Sequence, residues 1–243
     1  MTNLVRVVLI DPSHPGNIGS VARAMKNMDR ADLVLVRPRA FPHAEAVMLA
    51  AGADDVLSQA RVVDSIAEAV ADCGFVAGTT SRPRSHNWEF LTPRDLAGRT
   101  ARLAPESRAA LLFGSERFGL ANEDLQYCNV LVRIPANPQY CSLNLAMSVQ
   151  LIAYELYVER MHPETQIQFE RPLATGEEME LFYSHLQRVL DHIAFADRNG
   201  AGHLMTRLKR LFNRSQMDQN EINILRGIFT AVESRRRTAM ARD

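Results

Sequence analysis

Only three cysteines occur in 243 residues, Cys73, Cys128 and Cys141, and no two of them form a C-x-x-C pair. An odd, scattered set of this kind excludes a disulfide framework, argues against a zinc site and fits a reducing compartment, the cytoplasm. The chain also lacks any apolar run near the roughly 18–20 residues that span a bilayer. Its first stretch, MTNLVRVVLIDPSH, loses its apolar character at Asp11 and has neither the basic start nor the cleavage site of a signal peptide. An excess of one charge is missing as well, since 28 Lys and Arg balance 28 Asp and Glu. A nucleic-acid partner must then be held by a local patch and not by the overall field. From position 165 to the end there are 12 basic and 10 acidic residues, a difference too small to mark such a patch. Nucleotide and hydrolase signatures are absent too: no G-x-G-x-x-G opens the first helix, and neither G-K-[ST] nor G-x-S-x-G occurs in the glycine-bearing loops. Dehydrogenase, NTPase and hydrolase chemistry are thereby disfavoured, and Ser115 is a poor nucleophile candidate. No metal-ligand spacing is present.

What is present is an ordinary globular composition, 47% hydrophobic and 23% charged, long enough to bury a core. Apolar runs at 4–10, 32–36, 61–64, 75–79, 109–113 and 130–134 alternate with helical spacing at 18–28, 43–50 and 65–72. A long amphipathic helix is expected over 142–160. The alternation predicts the α/β class, a parallel sheet with helices on both faces. Residues 161–174, with two prolines and no sustained period, read as a linker. Beyond it, 177–194, 202–213 and 220–234 repeat apolar residues at three- and four-residue spacing, with Thr175 and Glu178 placed for a capping box. The expected organisation is an α/β domain over 1–160 and a small all-helical domain over 175–243.

Ligands in open parallel sheets bind beyond the C-terminal ends of the strands. Three such ends carry polar, mostly glycine-bearing loops: DPSHPGNIGS from Asp11, GSERFGL from Gly114 and PANPQYCSLN from Pro135. A glycine at one strand end usually just serves a turn with positive φ. Three such loops together favour a site.

These loops carry a resemblance. N17-I-G-S-V-A-R23, L-F-G114-S-E116-R-F-G119-L and I134-P-A-N-P-Q-Y-C-S142-L-N144-L-A-M-S resemble, in order and separation, the three motifs of the SPOUT-class RNA methyltransferases, within their TrmH-like branch of ribose methylators. The similarity covers residues 1 to about 160. The T79-T80-S81-R82-P-R84 loop, the overall length and the tail pattern extend it to the TrmJ-type tRNA methyltransferases of bacteria. The resemblance implies a deep trefoil knot at the end of the α/β domain and S-adenosylmethionine as methyl donor. It also implies a homodimer with composite active sites and a ribose 2′-hydroxyl of tRNA nucleotide thirty-two, cytidine or uridine, as acceptor.

It implies roles as well. Thr79, Thr80, Ser81, Phe113, Gly114, Ile134, Cys141, Ser142, Leu143 and Asn144 would surround the cofactor, with Gly114 leaving room for it and Leu112, Ile134 and Leu143 flanking the adenine. Arg23 would sit at the catalytic centre; because a guanidinium does not readily lose its proton, we assign it to RNA phosphate and developing alkoxide, with Ser142 or an RNA phosphate passing the proton on. Glu116 would fix Arg23 or the motif loops, Asn17 would pin backbone or ribose, and Asn144 would bridge loop and helix. Arg84, Arg207, Lys209 and Arg210 are candidate RNA contacts, as are Arg214 and Arg235–Arg237; each also fits a solvated basic surface. His14 and His86 fall near the mouth as ordinary polar loop residues. Two other functions stay open: ribosomal RNA as substrate, and a knotted RNA-binding protein without catalysis.

Overall fold

A computed structural model of the chain describes residues 5–82, 88–161, 172–195 and 203–240. Six strands and six helices alternate through the first part: β1 (Val5–Ile10), α1 (Pro15–Asn27), β2 (Leu33–Val36), α2 (Ala44–Ala50), α3 (Asp54–Ser58), β3 (Arg61–Val63), α4 (Ile66–Val70), β4 (Phe75–Thr79), α5 (Pro93–Ala101), β6 (Ala109–Phe113), β7 (Val130–Val132) and α6 (Leu145–Met161). A two-residue strand, β5 (Phe90–Leu91), precedes α5, and a 3₁₀ turn (Asp124–Tyr127) precedes β7. The strands form one sheet in the order β3-β2-β1-β6-β4-β7-β5, and every pairing in it is parallel. This is the α/β class that the alternating pattern predicts. The sequence reading missed β5, α3 and α5. Strand β5 is too short to show a period, whereas α5 carries a signal: Thr92-Pro93 and Asp95 make a full capping box with proline in the first turn.

The sheet has two apolar faces because its side chains alternate. Val5, Val7, Leu9, Leu33, Leu35, Phe75, Ala77, Leu111 and Phe113 face α1, α2, α5 and α6. Val8, Ile10, Val34, Val36, Val76, Leu112 and Leu131 face α4 and the 3₁₀ turn. Arg6 is a cation inside the otherwise apolar run LVRVVLI, and it is only 3% exposed. Its guanidinium donates to Asp32 at 3.0 Å, to the Ala69 carbonyl at 2.8 Å and to Asp72, so no donor-rich group is buried bare.

After the segment 162–171 the chain forms three helices, α7 (Gly176–His192), α8 (His203–Ser215) and α9 (Gln219–Met240). Thr175 and Glu178 make the capping box at the start of α7. Phe182 is the centre of this unit, edge-on to Phe212 at 4.9 Å and stacked on Phe229 at 5.6 Å. The unit is seated on the α4 side of the sheet. Asn129, just before β7, accepts from the Val76 amide at 2.6 Å and donates to the Asn213 carbonyl at 2.8 Å. The Asn213 side chain donates to the Gln126 carbonyl at 2.6 Å and accepts from the Tyr183 hydroxyl at 2.7 Å. The strand order, with α6 returning across α1 and α5, is compatible with the knotted path that the resemblance implies. Replacing Phe182 by Ala should cost about 3–5 kcal/mol, the usual penalty for emptying a fully buried aromatic site. Urea denaturation followed by circular dichroism reads it; a loss under 1 kcal/mol would mean the three helices do not share this core.

Candidate active site

Strands β6, β4 and β7 are neighbours at the centre and right of the sheet, and their C-terminal ends open into one cleft of ≈ 810 Å³ including its mouth. Its walls are Thr79–Arg82, Phe113–Leu120, Val132 and Ile134, and Cys141–Leu143 with Leu145 and Ser148 of α6. Nine of the expected cofactor-side residues therefore meet in one place: Thr79, Thr80, Ser81, Phe113, Gly114, Ile134, Cys141, Ser142 and Leu143. Leu112 faces the α4 side and does not line the cleft.

The loop Asp11–Ser20 does not line the cleft. It is tied to the cleft through Glu116. Helix α1 has no side-chain cap of its own, and its first donors turn to the Glu116 carboxylate instead. The Ser13 amide and hydroxyl reach one oxygen at 2.9 and 2.8 Å, while the His14 amide and the Asn17 side chain reach the other at 3.2 and 3.0 Å. Asn17 in turn accepts from the Asn144 amide at 3.1 Å, and Asn144 accepts from the Ala146 amide at 2.8 Å, capping the start of α6. Partial burial would raise the Glu116 pKa, but the hydrogen bonds from Asn17 and Ser13 outweigh it and hold the carboxyl at about 2. Ser13 was invisible to the sequence reading. It stands one residue before the N-cap His14, outside the usual capping position, and its partner is 103 residues away.

Three glycines serve the protein's own backbone. A Cβ on Gly114 would lie 2.0 Å from the Gly119 carbonyl carbon and 2.2 Å from the Leu120 amide, so the loop closes on itself there. Room for a ligand is thus not the reason that the residue must be glycine. Gly119 adopts φ +64°, the conformation that closes the turn. In the first loop, a Cβ on Gly19 would meet the Ala46 carbonyl oxygen at 2.0 Å, which makes it a contact glycine between α1 and α2.

Arg23 is exposed on α1 and makes no hydrogen bond or ion pair among the described residues. It lies six residues beyond Asn17, about 9 Å along the helix, and it does not line the cleft. Glu116 therefore holds Asn17 and the motif loops, not Arg23 of its own chain. Ser142 is exposed at the cleft and has no hydrogen bond among the described residues. In the tail, Lys209 pairs with Glu180 at 3.2 Å and lies 5.2 Å from the Tyr183 ring centroid, so it is drawn into the packing between α7 and α8. Arg207 is exposed, and Arg210 lies over Trp88. Arg84 and His86 lie outside the described residues, as do the side chains of Arg235–Arg237. Arg82, Arg117 and Phe118 join the cleft without having been singled out; only their positions inside the motif loops pointed to them. Among the described residues no group of His, Cys, Asp and Glu is placed to hold a metal ion. None of their helices is long and apolar enough to cross a membrane.

The SpoU rRNA methylase family model matches residues 4–154, and the model of the tRNA methyltransferase TrmJ C-terminal domain matches residues 177–242. A tRNA (cytidine/uridine-2′-O-)-methyltransferase TrmJ of Yersinia pestis is 44% identical, covering 96% of this chain and 93% of that protein. The Pseudomonas aeruginosa tRNA (cytidine/uridine/adenosine-2′-O-)-methyltransferase TrmJ is 46% identical, covering 96% and 95%. The crystal structure of TrmJ from Z. mobilis ZM4 superposes with a TM-score of 0.83 at 36% identity, over 94% of this chain and 98% of that one. Glu116 yields a pH prediction. Its depressed pKa contributes stability that is present above about 4.5 and is lost as pH falls toward about 2. Chemical denaturation between pH 6 and pH 2.5 should show a steeper acid loss for the wild type than for Glu116→Gln; identical slopes would mean the four donors do not stabilise the ionised form.

Proposed function

The chain belongs to the SpoU methylase family, and we propose that it transfers the methyl group of S-adenosylmethionine to a ribose 2′-hydroxyl in the anticodon loop of tRNA. The observation that carries this reading is the cleft at the ends of β6, β4 and β7, built from three motif loops that Glu116, Asn17 and Asn144 tie to one another. Residues 79–82, 113–120 and 141–145 fit the cofactor's chemistry: strand-end backbone groups to read an adenine edge, and Ile134 and Leu143 to flank its faces. When bound, the cofactor supplies an electrophilic methyl on a sulfonium. The protein's share is to hold the acceptor oxygen in line and close, to exclude competing water and to direct the proton.

In this scheme the 2′-hydroxyl proton passes to an RNA phosphate oxygen, either directly or through Ser142. The Ser142 hydroxyl has no partner among the described residues and would give up its own proton to the phosphate as it receives the ribose proton. Arg23 binds phosphate and stabilises the developing alkoxide as a permanent cation. Its exposure, with no partner among the described residues, supports its service to the cleft of a second subunit. A second observation favours that homodimer. Met147, Leu151 and Tyr154 project from α6 at 61%, 42% and 49% exposure, spaced four and three residues apart on one face. The working division is a catalytic domain over 1–160 and a helical domain over 175–243, the latter helping to seat tRNA. Such an enzyme acts where tRNA matures, in the cytoplasm. Nucleotide thirty-two, a cytidine or uridine, is the expected target. The relatives from Yersinia pestis and Pseudomonas aeruginosa are named for cytidine and uridine, the second also for adenosine.

Incubation with S-adenosylmethionine and unmodified tRNA, followed by mass spectrometry of the digested nucleosides, should yield a new 2′-O-methylnucleoside in the anticodon loop. Methylation of ribosomal RNA alone would overturn the substrate; no methylation of either RNA would overturn the enzyme reading. Arg23→Lys should lower turnover about 10–100-fold while leaving cofactor affinity unchanged, because one point charge replaces a planar fork. Mixing Arg23→Ala with Asn144→Ala subunits should restore turnover through hybrid dimers that hold one intact site; no recovery after subunit exchange would rule out the composite site.

A further inference from the structure

The exposed edge of the sheet carries cations that the cleft does not use. Strand β5 is that edge, and Phe90 on it is 38% exposed. The guanidinium carbon of Arg133 lies 4.4 Å from the centre of the Phe90 ring. Two residues earlier stands Trp88, the chain's only tryptophan, with the Arg210 guanidinium carbon of α8 at 5.3 Å from its ring. Each ring thus holds an arginine from another element, and one of those arginines comes from the helical tail.

The pairs lie beside the cleft in the chain. Arg133 stands between Val132 and Ile134, both of which line it, and its amide donates to the Leu91 carbonyl at 2.9 Å. The charge is concentrated and unbalanced. Arg207, Arg210 and Arg214 share one face of α8, and burial with mutual repulsion lowers the Arg210 pKa. None of Arg133, Arg207, Arg210 and Arg214 pairs with a carboxylate among the described residues, whereas Lys209 on the same helix pairs with Glu180. A cluster of like charges destabilises the free protein slightly and is relieved by a polyanion.

The arginines over rings narrow the choice of polyanion. An aromatic ring beneath a guanidinium restricts its rotamers before any ligand arrives, so less entropy is lost on binding. A guanidinium plane set in this way can stack a base on its outer side, as single-stranded RNA requires; a double-helical backbone needs only point charges. We propose that Arg133 on Phe90 and Arg210 on Trp88 form a stacking track for the unpaired nucleotides that flank the methylated ribose, with Arg207 and Arg214 taking their phosphates. The proposal rests on the tRNA reading above and names the surface that joins the tail to the cleft for that substrate.

The test uses the full-length protein and tRNA transcripts with or without one abasic nucleotide beside the target position. Wild-type methylation of the intact transcript checks the tRNA reading by itself, and its failure would count against that reading and not against the binding comparison. Arg133→Lys and Arg210→Lys keep the charge and lose the plane. With unchanged melting temperature and unchanged cofactor affinity, each should weaken binding of intact transcript about tenfold, with the salt dependence of binding preserved. The abasic transcript should bind the wild type about tenfold more weakly, and at least one Lys variant should lose nothing further on it. Lys variants that bind intact transcript as tightly as the wild type would overturn the track, leaving phosphate contact alone. Losses that simply add on every abasic transcript would overturn it as well.

Discussion

Helix α1 starts without a cap of its own, and four donors at its head converge on a carboxylate contributed from 99 to 103 residues further along the chain. A negative group there also meets the positive end of the helix dipole. Glu116 is held ionised by these donors against the cost of its partial burial. The bond does more than finish a helix. It fixes the β6 loop, whose tight closure at Gly114 forms one wall of the cleft, to the helix that carries Arg23. Through Asn17 and Asn144 the same bond reaches the cap of α6 and therefore the opposite wall. Three segments far apart in sequence are aligned by one anion.

Much of this architecture was legible in the residues. The strand and helix boundaries that periodicity predicts in the α/β region mostly agree with the structure to within a few residues, because the central strands are covered on both faces and read as largely apolar runs. Strand β5 escaped because two residues cannot display a period. The place of the cleft was legible from the loops at the strand ends, while its individual residues came from the family resemblance. The expected reason for Gly114, room for the cofactor, is replaced by another: Gly114, like Gly19, is required by contacts with the chain's own backbone. Lys209 stood with Arg207 and Arg210 as either an RNA contact or part of a solvated basic face, and the structure pairs it with Glu180. That pairing depends on Glu180 and Tyr183 of α7, which no spacing rule reveals.

Arg6 illustrates how far a local exception can travel. Within an otherwise apolar strand it gathers Asp32, Asp72 and the Ala69 carbonyl, and Asp72 also receives Arg108 at 3.2 Å. The position just after this cluster, Cys73, offers its carbonyl to the Gly176 amide at 2.9 Å, where the first tail helix begins. The buried cation therefore stiffens the very corner on which the tail is seated. Polar networks that are fully satisfied rigidify their surroundings in this way.

The asparagine relay from Val76 through Asn129 to Asn213 and Tyr183 passes from a central strand into the tail by direct hydrogen bonds. Under the proposed function this makes the molecule a caliper. One jaw is the cleft, the other is α8, and the span between them is set by side-chain amides whose geometry tolerates little change. A relative with the same cleft but a tail seated one helical turn away would reach a different nucleotide of the same RNA. Target choice would then change by re-seating a joint, leaving the chemistry of methyl transfer untouched.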